Sequence, residues 1–173
     1  MVCVDMLNRI KVELITEAMD TLQEAIDAKA ISVEGELVNL PDKPSETEMH
    51  MFVIRQLVEQ RDSIIERYRG QLNDDKPSDP KMVAQRERLS KFILYVEQIY
   101  TLMHYGDMLD SWMNEIALQV GSKSPSEAMV KTLNEQRIEV IKYVLGNKKI
   151  SSEGILTEVE RKILMSSISG SQR

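Results

Sequence analysis

The residues of this sequence best spaced for chemistry are carboxylates. Glu13, Glu17, Asp20, Glu24 and Asp27 crowd its opening segment, and Glu17/Asp20 and Glu24/Asp27 form E-x-x-D pairs, as does Glu59/Asp62 further on. Residues three apart share one face of an α-helix, so such a pair can offer oxygens to a Mg²⁺ ion. A working metal centre also needs its acids to converge on an enclosed interior. In the same segment Leu7, Leu14, Ala18, Leu22, Ala25 and Ile26, with Ile15 and Met19 beside them, repeat at helical spacing and predict one apolar face. The five acids are expected opposite it, in a stripe roughly 80° wide. That placement favours a solvated surface that could face a protein partner, and no cofactor or metal is expected.

In spacing alone, the acid pairs resemble those of all-α nucleotide pyrophosphohydrolases, which set them on neighbouring helices. The resemblance implies a Mg²⁺-dependent hydrolase as one alternative. Other chemistry is thinly supplied. His50 and His104 stand apart, with no H-E-x-x-H spacing. Cys3 is the single cysteine, so no intrachain disulfide forms. No serine sits in G-x-S-x-G, and neither phosphate-binding glycine motif occurs.

An internal echo raises a second alternative. Lys29-Ala30-Ile31-Ser32-Val33-Glu34-Gly35-Glu36-Leu37 and Lys148-Lys149-Ile150-Ser151-Ser152-Glu153-Gly154-Ile155-Leu156 share K-x-I-S-x-E-G-x-L in register. Each follows an amphipathic segment, as the turn of a helix-turn-helix unit would. Lys148, Lys149, Arg161 and Lys162 surround the second copy and would be its nucleic-acid contacts, in an accessory protein of packaging or regulation. The first copy lies in the most acidic part of the chain, which favours a purely structural turn.

The elements that must carry these residues are helices. The first is predicted over 4–28, with 29–45 a loop or a short strand. Ser45-Glu46-Thr47-Glu48 reads as a capping box opening a second helix. Its seam, Ile54, Val58, Arg61, Ile65, Tyr68 and Leu72, alternates steps of four and three, interrupted by one arginine that is expected to snorkel. Asp79-Pro80 opens a third helix. Gly106 either breaks that helix or is carried within one running to Val120. Ser124-Pro125-Ser126-Glu127 starts a helix ending at Gly146, and a shorter one follows over about 155–167. Trp112, with Met108 and Ile116 on its face, is the predicted hydrophobic centre of a partner contact.

Together these give an all-α fold, one domain over 1–173: a bundle of about five to six helices with a long central antiparallel hairpin over 45–120 and a C-terminal helical pair over 124–168. A hairpin with smaller helical flanks is a pattern found in phage packaging and assembly proteins and in many adaptors. Hydrophobic residues make up 42% and charged residues 29% of the 173, as in a globular protein. The net charge of −6 is front-loaded: residues 1–50 carry −7, 51–120 carry −2 and 121–173 carry +3. No segment predicts a membrane span or a secretion signal, so a cytoplasmic, reducing location is expected. Helices this long have ends to cover, which points to a homo-oligomer. The expected function is that of a non-enzymatic assembly or adaptor-like protein. It would self-associate and use Glu13, Glu17, Asp20, Glu24, Asp27 and Trp112 to meet a protein with a basic surface, nucleic acid being less favoured.

Overall fold

The computed structural model describes residues 3–31, 45–72, 80–119, 127–147, 150 and 154–171. These residues form six α-helices and no strand: α1 (Val4–Asp27), α2 (Glu46–Glu59), α3 (Arg61–Leu72), α4 (Pro80–Gln119), α5 (Glu127–Gly146) and α6 (Glu158–Ser171). The fold is an all-α bundle. None of the described helices is long and apolar enough to cross a membrane.

Local signals explain most boundaries. Ser45 caps α2 through the expected box: its hydroxyl accepts from the Glu48 amide at 3.2 Å, and its own amide donates to the Glu48 carboxylate at 3.3 Å. Pro80 is the first residue of α4, where its missing N–H costs nothing. That helix continues through Gly106 to Gln119, so the glycine is carried inside it. A second box opens α6. The Thr157 hydroxyl accepts from the Glu160 amide at 3.1 Å, and the Thr157 amide donates to the Glu160 carboxylate at 3.0 Å. α6 therefore starts after Thr157, later than the predicted Ile155, and it runs on to Ser171.

One expectation changes here. The helix predicted from Ser45 to Leu72 is divided at Gln60, whose φ of −101° and ψ of 8° leave the helical region. The Gln60 amide still reaches the Gln56 carbonyl at 3.0 Å, and the Ile64 amide the Gln60 carbonyl at 2.9 Å. The interruption is thus a kink in a nearly continuous ladder. At its C-terminal end α1 closes in a Schellman turn, with Ala30 donating to Ala25 and Lys29 to Ile26, both at 2.9 Å. Lys29 occupies the left-handed position, φ 57°, that glycine usually fills. The loop-or-strand expectation beyond Ile31, the turn between α3 and α4, and the capping box at Ser124 fall outside the described residues.

The chain gathers into two compact units, residues 1–15 with 104–173, and residues 16–103. The first has its core in Met6, Leu7, Ile10 and Leu14 of α1, Leu109 and Trp112 of α4, Val140, Ile141 and Val144 of α5, and Ile150, Leu156 and Leu164. Within it α5 and α6 pack together. The second buries Ala18, Leu22, Ala25, Ile31, Val53, Ile54, Leu57, Ile65, Val96, Ile99, Leu102 and Met103. There Arg61 meets Tyr100 while Tyr68 meets Phe92, so advancing positions on α3 meet receding ones on α4. Each large apolar side chain buried in this way contributes about 1.5–3 kcal/mol.

Candidate functional site

On α1 the buried positions Met6, Leu7, Ile10, Leu14, Ala18, Leu22 and Ala25 define the core face. At 100° per residue the acidic stripe lies about 100° from its centre, beside the core face and not opposite it. The solvent pole belongs to Asp5, Arg9, Val12 and Thr16, all exposed. Glu13 and Glu17 are consequently half-buried, whereas Asp20, Glu24 and Asp27 are exposed. The apolar spacing of the second half of the helix points away from the acids, but Met6 and Ile10 are buried as well and pull the core face toward them. Asp27 accepts from the Gln23 amide group at 2.9 Å. Glu59 ends α2 and Asp62 lies beyond the kink, so the third acid pair does not share one regular helix; Asp62 instead pairs with Arg61 at 2.9 Å. Among the described residues no group of three or more His, Cys, Asp or Glu is placed to hold a metal ion.

The arginine in the apolar seam has a definite place. Arg61 lays its guanidinium over the Tyr100 ring, 4.3 Å from the centroid, and approaches Glu97 at 3.9 Å. Arg69 approaches the same carboxylate at 3.8 Å. A matching trio stands in the other unit. Arg137 of α5 reaches Glu115 at 2.6 Å and lies over the Trp112 ring at 5.5 Å. Trp112 is only 8% exposed, and the Arg137 guanidinium lies over its ring. Nearby, Tyr105 stacks on Tyr143 with centroids 4.0 Å apart, and its hydroxyl donates to Glu139 at 3.4 Å. Burial, then the Glu139 charge and hydrogen bond, push the Tyr105 phenol above its ordinary value.

No protein-family model, curated protein or solved structure matches the chain.

One contact escaped the sequence reading. Arg9 of α1 donates to the Ile155 carbonyl at 2.9 Å and pairs with Glu160, tying the start of α1 to the cap of α6. Burial alone would raise the Glu160 carboxyl, but the Thr157 amide and the Arg9 guanidinium outweigh it and hold it below the ordinary value. The T-x-x-E spacing was there to find the cap; the distant arginine left no sequence signal. Lys11 pairs with Asp110 at 2.6 Å in the same unit.

The basic candidates are scattered. Lys148 and Lys149 lie outside the described residues. Arg161 is half-buried, and exposed Lys162 stands 4.0 Å from Glu158. Ile31 and Ile150, the shared residue of the internal echo, are both buried, at 4% and 0% exposure. Each belongs to the buried core of its own unit. His104 is exposed, with its ring edge-on to Tyr105 at 5.3 Å, and Cys3 is exposed.

Proposed function

We propose that this chain is a non-enzymatic helical interaction protein that self-associates and engages a protein partner. The observation that carries this reading is the uneven burial of α4. From Val96 onward the helix contributes Val96, Ile99, Leu102, Met103, Leu109 and Trp112 to the cores. Between residues 80 and 95 none of its described side chains is buried, although Leu89, Phe92 and Ile93 are half-buried and Val83 and Leu94 exposed. Helices draw most of their stability from packing an apolar face. A long stretch with so little cover is stabilised when a further surface comes against it.

The second part of the reading uses Asp20, Glu24 and Asp27, which are exposed together on α1 and suit a basic protein surface, with Glu13 and Glu17 at the edge of the same stripe. Replacing Glu17, Asp20 and Glu24 by lysine is expected to abolish partner capture while the thermal unfolding midpoint stays within a few degrees. Self-association is tested by light scattering on a sizing column at two salt concentrations. A discrete oligomer that survives high salt supports the reading. A lone 19.9 kDa species under all conditions refutes it.

A further inference from the structure

The uncovered half of α4 carries its apolar and charged residues in a particular order. Val83 is 43% and Leu94 57% exposed. They are eleven positions apart, close to three helical turns, so they share a face about 16 Å apart along the axis. Glu87, Ser90 and Lys91 lie between them on or beside that face, and all three are exposed. The stripe reads apolar, acid, small polar, base, apolar. Reversed, it reads apolar, base, small polar, acid, apolar, which is its complement.

We infer that this face docks on the same face of a second copy of the chain, with the two α4 helices antiparallel about a two-fold axis near Leu89. The claim rests on the self-association proposed above and assigns it a surface. In that arrangement Val83 meets Leu94 of the second copy and Glu87 meets Lys91, and the axis makes each contact twice. A parallel, in-register pair would set Glu87 on Glu87 and Lys91 on Lys91, placing like charges together. The charge order thus selects one occupant and one orientation. Isolated exposed apolar residues need no explanation. Here two of them bracket a complementary charge pair on the stretch of helix with the least cover.

The test compares the solution mass and dimer dissociation constant of full-length wild type with those of Leu94→Arg, Glu87→Lys, Lys91→Glu and the double reversal Glu87→Lys/Lys91→Glu. Leu94, Glu87 and Lys91 are exposed, so each variant should keep the wild-type helical circular dichroism spectrum. Wild type is expected at twice 19.9 kDa. Leu94→Arg and either single reversal should weaken the dimer by about tenfold or more, and the double reversal should return to within about threefold of wild type. A wild type that stays monomeric at about 100 μM overturns both this surface and the self-association reading. An oligomer that all four variants leave unchanged overturns this surface alone. Failure of the double reversal to recover association, when each single reversal has weakened it, overturns the antiparallel pairing.

Discussion

The two units contain the same three-residue arrangement with opposite emphasis. In residues 16–103, Arg61 sits close over Tyr100, at 4.3 Å, and far from Glu97, at 3.9 Å. In the other unit Arg137 is tight on Glu115, at 2.6 Å, and loose over Trp112, at 5.5 Å. In both, the ring and the acid lie three residues apart on α4, so one helix turn presents them side by side. The surroundings decide which contact dominates. Glu115 has a side chain only 15% exposed and needs a close cation, while Glu97, at 42%, keeps its water. An arginine covering an aromatic ring is therefore one construction with two energetic uses: neutralising a shielded acid, or roofing a ring.

That contrast is open to attack by substitution. Arg137→Ala takes the close cation from a shielded carboxylate, so urea unfolding should report a loss of about 2 kcal/mol. Arg61→Ala removes mainly a ring contact near water and should cost about 1 kcal/mol or less. Equal losses would mean that the two trios work alike. Arg137→Lys should recover most of the loss, because a lysine still pairs with Glu115; Arg61→Lys should recover little.

Acid and alkali should separate the units next. The Glu160 carboxyl lies below its ordinary 4.5, so its stabilisation is fully present above that pH and is lost as the pH falls through the lower folded value. The Tyr105 phenol lies above 10.0, so its contribution is present below that pH and lost as the pH rises through the higher folded value. Both groups belong to the unit holding α5 and α6. Probes there should respond at each extreme, and Glu160→Gln should flatten the acid limb of a denaturation-midpoint profile.

The smallest effects are gains. Gly106 lies inside α4, with nothing within 4 Å of the position a Cβ would take. Gly106→Ala should add about 1 kcal/mol, read as a raised urea midpoint. Lys29→Gly relieves the left-handed turn residue of the other unit and should add about 0.5 kcal/mol, measured in the same way.

What the sequence disclosed was local. Ser45 with Glu48, Pro80 after Asp79 and the apolar spacing of α1 act within a turn or two, and they place helices directly. The kink at Gln60 has no glycine or proline to announce it. The angle between the acidic stripe and the buried face depended on Met6 and Ile10, whose burial is set by packing. Tyr100 beneath Arg61 and Glu160 beside Arg9 are meetings across long stretches of chain, which no spacing rule encodes. For the same reason the acids could be found in the sequence, but their partial shelter could not.

The thin cover of residues 80–95 also bears on how long a molecule survives. Backbone that shields few apolar contacts opens at low free energy, and an open segment is what a protease cleaves. Arg86, Arg88 and Lys91 put trypsin-type cleavage sites in that stretch. A copy held by another would keep it closed, so crowding by its own kind would lengthen the lifetime of each chain, and solitary molecules would be the first removed.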